Sequence, residues 1–245
     1  MKVLATYNIK GGVGKTSTAV NLAYLAAREG RRTLLWDLDP QAAATYMFRV
    51  KPRVKGGGHA LVSRARPIEA ALKATDFDNL DLLPADFSYR NMDLELDDTK
   101  KRTRRLGQLL DSVAADYDMV FLDCPPSISL VSENVMHAAD TLLVPLIPAT
   151  LSLRTFDQLT SFVSGSDKPR PEVVAFFSMA DRRKRLHKEV IEAIPRNGAR
   201  IADTVIPALS IIEQMAERRA PVPAFAPTSR AAQCYEQLWA EVRPR

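Results

Sequence analysis

The chain of 245 residues carries 34 Lys and Arg against 29 Asp and Glu, a net charge of +5, with 46% hydrophobic and 26% charged residues. That balance suits a soluble globular protein and excludes fibrous and low-complexity chains. Two cysteines, Cys124 and Cys234, exclude a disulfide framework and a four-thiolate metal site within one chain and fit a reducing compartment, and no apolar run reaches the length of a membrane-crossing helix or a signal-peptide core.

In chain order, short apolar runs predict strands at Lys2–Thr6, Thr33–Trp36, Asp81–Leu83, Met119–Leu122, Thr141–Pro145, Val173–Ser178 and Thr204–Ile206. Several are nearly continuous in apolar residues, as expected of parallel strands covered on both faces. Amphipathic stretches between them predict helices at Lys15–Arg28, Arg104–Ala115, Ser129–His137, Thr155–Ser164 and Lys184–Ile194, and a last helix within Ser229–Arg245. Arg49–Ala74, with its Gly56-Gly57-Gly58, reads as a loop with a short helix. The alternation implies an α/β fold: a doubly wound, mostly parallel sheet flanked by helices, in a single domain over residues 1–245.

The strongest local signal is Lys10-Gly11-Gly12-Val13-Gly14-Lys15-Thr16, followed by Ser17. It lies between a predicted strand and a predicted helix, the context of a phosphate-binding loop. Glycines let backbone N–H groups turn inward onto phosphate oxygens, and the helix N-terminus favours the anion. Lys15 is placed to reach β- and γ-phosphates, and the Thr16 hydroxyl to sit on Mg²⁺. Position 9 is Ile where the usual loop starts with Gly, and a second lysine, Lys10, precedes the glycines.

This two-lysine loop resembles the K-G-G-V-G-K-T signature of the ParA/MinD family of P-loop ATPases. The resemblance implies the P-loop NTPase fold, Mg²⁺-dependent ATP hydrolysis, and a homodimer formed on ATP binding. It implies that Lys10 crosses to the partner's phosphates, as an arginine finger does, with Gly11 at the seam.

Further blocks extend the likeness. Asp37 and Asp39 in Asp37-Leu38-Asp39-Pro40-Gln41 end a strand two residues apart, so they point the same way in extended chain. By resemblance Asp39 positions the attacking water and Asp37 helps hold the Mg²⁺ shell; for Asp37 a solvated strand-end turn is a serious rival. Met119–Asp123 is an apolar strand ending in a carboxylate, a Walker B pattern in which Asp123 serves Mg²⁺, usually through water. Cys124 reads as a small packing residue rather than a nucleophile. Loops after Ser178 and Ile206 are expected to close over adenine, with Met179 and Pro207 as apolar walls; the family's amide-bearing Asn is replaced here by Ser178.

What the cycle acts on is read from charge. No acid lies between Asp39 and Glu69, whereas Arg49, Lys51, Arg53, Lys55, Arg64 and Arg66 do. Arg182-Arg183-Lys184-Arg185 is a second run, and Arg218, Arg219 and Arg230 a third group. Any one cluster is more often a solvated face than a site. With the family they favour non-specific DNA binding through Arg218, Arg219 and Arg230. The expectation is a cytoplasmic, nucleoid-associated ATPase of the short ParA type, without a fused helix-turn-helix domain, discharged by a cargo-linked activating protein. A membrane-cycling ATPase is the alternative, and an ATP-dependent ligase on the same fold a third. The tail helix argues against the membrane reading, since its polar face carries Gln233, Glu236, Gln237 and Glu241 rather than a basic stripe.

Overall fold

The structure, a computed structural model, describes residues 1–164, 171–181, 183–193 and 200–244. In chain order its elements are β1 (Lys2–Thr6), α1 (Lys15–Arg28), β2 (Thr33–Asp37), α2 (Ala43–Met47), α3 (Gly57–Val62), β3 (Lys73–Ala74), β4 (Leu80–Leu83), α4 (Met92–Asp97), α5 (Arg105–Leu110), β5 (Met119–Asp123), α6 (Leu130–Ala138), β6 (Thr141–Leu146), α7 (Thr150–Ser164), β7 (Glu172–Ala180), α8 (Arg185–Ala193), β8 (Arg200–Pro207), α9 (Ser210–Arg218), α10 (Val222–Phe225) and α11 (Arg230–Val242). Single turns of 3₁₀ helix lie at Ile68–Ala71, Phe87–Asn91 and Asp111–Val113.

Among the described residues the strands form one eight-stranded sheet in the order β3-β4-β2-β5-β1-β6-β7-β8. Every pairing is parallel except β3 with β4. The apolar runs of β2, β5 and β6 are buried at every position, because helices cover both faces. One apolar cluster joins the sheet to α3 through α8; the other joins it to α1, α2, α9, α10 and α11. The doubly wound sheet is therefore as expected.

Several bounds move. The predicted helix over Arg104–Ala115 is α5 followed by a 3₁₀ turn. The predicted Thr155–Ser164 helix begins five residues earlier, at Thr150. β7 runs on through Met179, where the backbone takes φ 54° beside an irregularity in its pairing with β8. Arg49–Ala74 holds α3, a 3₁₀ turn and β3 rather than one short helix. Arg182 and Ile194 lie outside the described residues.

Candidate functional site

The phosphate loop leaves β1 and enters α1 along a course set by named bonds. The Asn8 amide donates to the Pro145 carbonyl at 2.8 Å, and its oxygen accepts the Lys10 N–H at 2.9 Å. Gly12 and Gly14 take φ 69° and 94°, a region that a Cβ disfavours. A Cβ on Gly14 would also stand 2.8 Å from the Ser178 hydroxyl oxygen. Here β7 reaches under the loop, a support that the sequence does not announce. Val13 is 1% exposed and turned into the core, so its share in the loop is a backbone one.

Lys15 is 6% exposed, and its ammonium donates to the Lys10 carbonyl at 2.8 Å. Burial lowers its pKa, and the negative charge of Asp123 partly offsets that. The lysine is thus drawn back into the curl of its own loop, where a phosphate oxygen would compete for it. Lys10 itself is only part-buried.

Three neighbouring strands place Thr6, Asp123 and Asp37 side by side in register. Asp123 is fully buried, and burial with the adjacent Asp37 charge raises its pKa well above the ordinary range. Its Oδ2 has no hydrogen-bond partner among the described residues, while the Thr16 hydroxyl lies close enough to favour its charged form. A buried carboxylate with one orphaned oxygen, beside a hydroxyl, is a donor set that fits a hard divalent cation. Among the described residues no group of three or more His, Cys, Asp or Glu surrounds the place. Mg²⁺ held by Thr16 and Asp123 would thus take the rest of its shell from water and phosphate oxygens.

Asp37 is fully buried and so is not a solvated turn residue. Its Oδ2 accepts from the Thr45 N–H at 2.8 Å and the Thr45 hydroxyl at 2.7 Å, and its Oδ1 from the Asp39 N–H at 3.2 Å. Burial pushes its carboxyl up to about 6 despite these donors. Asp37 thus stands behind the cavity, bonded to the Asp39 turn and to the start of α2 and outside the cavity lining. Asp39 does face the cavity, its Oδ1 accepting the Gln41 N–H at 2.9 Å. Cys124 is 1% exposed with its thiol pushed up by burial, which keeps it a packing residue.

Gly11, Gly12, Gly14, Lys15, Thr16, Ser17, Asp39, Met179 and Pro207 line one cavity of about 320 Å³. Lys10, Asp37 and Asp123 lie outside its lining. The sequence reading missed Pro126 and the entry to α9, where Leu209 and Ile212 add apolar wall and Glu213 a carboxylate. The available signal was the apolar spacing of Ile211, Ile212 and Met215 just after Pro207.

The basic residues are elsewhere. The Arg219 guanidinium sits 4.5 Å over the Tyr46 ring and donates to the Tyr46 carbonyl at 3.0 Å. Arg49 donates to the Arg218 carbonyl at 3.2 Å. Two sequence-distant clusters are thereby one surface. Arg230 is exposed at the start of α11, and Arg183 is paired with Asp181 at 3.1 Å.

Comparison with known proteins agrees with this geometry. Residues 1–171 match the AAA domain family. The chain is 34% identical over 254 residues to the chromosome partitioning protein ParA of Caulobacter vibrioides, covering 100% of this chain and 95% of that one. It is 32% identical over 247 residues to the sporulation initiation inhibitor protein Soj of Bacillus subtilis, covering 98% of each. The solved structure of a cobyrinic acid a,c-diamide synthase from Mycobacterium smegmatis, with bound ATP analog and magnesium, matches with a TM-score of 0.82 at 27% identity, over 98% of this chain and 93% of that one. Full-length likeness to ParA and Soj, on a sheet whose first loop carries two lysines, places the chain in the ParA/MinD family of P-loop ATPases.

Proposed function

We propose that this chain is a positioning ATPase: it closes as a homodimer on ATP and Mg²⁺, binds nucleoid DNA without reading sequence, and is discharged by a cargo-linked protein that stimulates hydrolysis. The ParA and Soj relatives support the positioning role. In this reading Lys15 binds the β- and γ-phosphates, Thr16 and Asp123 hold Mg²⁺, and Asp39 orients the attacking water. Mg²⁺ supplies neutralisation of charge on the phosphate oxygens. Met179, Pro207 and the start of α9 pack on the base. DNA meets Arg218, Arg219 and Arg230 through its phosphates, and the protein works in the cytoplasm on the nucleoid.

The observation that carries the dimer is the pair of lysines. Lys15 occupies the inside of the loop, whereas Lys10 lies outside the cavity lining. Gly11 is exposed, and a Cβ there would meet nothing of its own chain nearer than the Pro126 Cγ at 4.0 Å. A second subunit gives both residues a task. Against the membrane alternative, α11 packs Ala231, Ala232, Tyr235, Leu238 and Trp239 into the core, so its apolar face is not free to lie on a bilayer.

Light scattering with ATP and Mg²⁺, with and without duplex DNA, tests this reading. The wild type is expected to dimerise and to bind duplex in a salt-sensitive way. Lys10→Ala is expected to keep ATP binding and to lose dimerisation and turnover. A wild type that stays monomeric with ATP, on DNA as off it, would overturn the proposal.

A further inference from the structure

Residues 100–105 read Lys-Lys-Arg-Thr-Arg-Arg, five cations in six positions, and belong to none of the clusters discussed above. They form the connection into α5. Lys100, Lys101 and Arg105, with His59 and Gln108, line a groove of about 540 Å³ between α3, α4 and α5. Lys101 and Arg104 also edge the cleft on the other flank of α5, so they stand on the ridge between two concavities. The fold adds a sixth cation: Arg64, just past α3, donates to the Gln108 carbonyl at 3.1 Å.

The charges here are only partly compensated by the acids that flank them, Glu95, Asp97, Asp98 and Asp111. Arg102 pairs with Asp97 at 2.9 Å. Glu95 on the groove wall contacts the His59 ring, Asp98 stands on the rim, and Asp111 lines the cleft on the other flank of α5. Lys100, Lys101 and Arg104 are exposed. The Arg105 Nε is buried with no hydrogen-bond partner among the described residues. Burial, and then the like charge of Arg64, lower the Arg105 pKa, as expected where cations crowd without an anion between them.

Placement shows what such a surface can reach. α5 packs in the apolar cluster on one face of the sheet and α9 in the cluster on the other. The acid-free segment after α2 joins the two. Phe48 belongs to the α9 face and Val54 to the α5 face. Between them the chain passes the C-terminal end of β4, where Asp86 accepts the Val54 N–H at 2.8 Å. Lys51, Arg53 and Lys55 are exposed along this crossing. Basic residues thus continue from Arg218 and Arg219, past Arg49, which pairs with Asp76 at 2.8 Å, to Arg64 and the 100–105 run.

We propose that Arg64, Lys100, Lys101, Arg104 and Arg105 form a second phosphate-binding surface, which grips the DNA backbone on the face of the sheet opposite Arg218 and Arg219. The inference rests on the DNA-binding reading above and extends it from one patch to a band. An elongated run of exposed cations suits a polyanion with regularly spaced phosphates, and each phosphate neutralised adds to the salt dependence of binding.

The test is duplex binding by the ATP-loaded protein across a salt series, for wild type, Lys101→Ser/Arg104→Ser and Arg218→Ser. Lys101 and Arg104 are exposed and outside the nucleotide cavity, so unchanged basal turnover and melting temperature are expected. The double variant should bind about tenfold or more weakly at moderate salt, with a log–log salt slope shallower by about 1.8, or roughly 0.9 for each phosphate no longer neutralised. The charge-keeping pair Lys101→Arg/Arg104→Lys should retain the wild-type slope. If Arg218→Ser loses affinity and the double variant does not, the second surface is refuted and the DNA reading stands. If the wild type with ATP binds no duplex, both fall. If the double variant keeps its DNA slope and loses only stimulation by an activating protein, the run serves an acidic protein segment and the proposal is overturned.

Discussion

Gly14 shows how one residue ties the loop to the sheet. Its φ of 94° excludes most side chains, and the Ser178 hydroxyl lies where a Cβ would go. Two separable costs follow for Gly14→Ala. The left-handed backbone alone costs about 1–2 kcal/mol, and displacing the Ser178 oxygen adds to that. In Gly14→Ala/Ser178→Ala the obstruction at 2.8 Å is gone and the next is the Cβ of residue 178 at 3.9 Å. Urea unfolding of the two single variants and the double is therefore expected to show favourable coupling, with a residual loss from the backbone. Strictly additive losses would mean that the Ser178 oxygen does not obstruct a side chain at position 14. The loop itself was legible, because its residues are consecutive and each has a stated task. Ser178 as its support was not, since the contact spans 164 positions of chain (178 − 14). The anchoring role of Asp37 was hidden for a related reason: it depends on Thr45, beyond a turn that needs φ 56° at Ala42.

At the level of elements, α2 and α9 connect chemistry to surface. α2 is pinned behind the cavity through Thr45 and Asp37. α9 lines the cavity with Ile212 and Glu213 and ends at Arg218. The two meet where Arg219 lies over Tyr46. An exposed cation–π contact of this kind is worth about 0.5–1 kcal/mol, enough to hold the guanidinium in place but not to fix the fold. Tyr46→Ala is expected to lower duplex affinity by about two- to fivefold with little change in melting temperature, and Tyr46→Phe to keep it. Equal affinity for Tyr46→Ala and wild type, measured by fluorescence anisotropy, would show that the junction does not position Arg219. Neither helix was predicted from the sequence, nor were α4, α10 and β3. Elements of two to six residues complete too little of a period to register. The nine residues of α9 bury only Met215 fully. The central strands were legible because burial on both faces leaves nearly unbroken apolar runs.

For the whole molecule, the sheet makes its two apolar clusters interdependent. Along β1, Val3 and Ala5 serve one face and Leu4 the other; along β2, Leu34 and Trp36 oppose Leu35. Neither helical layer can leave without stripping alternate residues of the same strands, so residues 1–245 are expected to unfold as one cooperative unit. The two tryptophans report on opposite sides: Trp36 lies in the cluster with α3 through α8, and Trp239 on α11 packs 6.0 Å from the Phe121 ring in the other. By distance neither indole nitrogen has a hydrogen-bond partner among the described residues, although Trp36 lies close enough to the Tyr89 hydroxyl to favour its ionised form, so replacement by Phe costs little in hydrogen bonding. Trp36→Phe and Trp239→Phe each leave one reporter. In each variant the urea transition followed by the remaining tryptophan is expected to coincide with that followed by far-ultraviolet circular dichroism. If the Trp239 signal is lost at lower urea than the dichroism, α11 with its layer is a separate unit and the single-domain reading fails. Coincidence would also mean that nucleotide, bound where loops from across the sheet converge, stabilises both faces together by RT ln(1 + [L]/Kd).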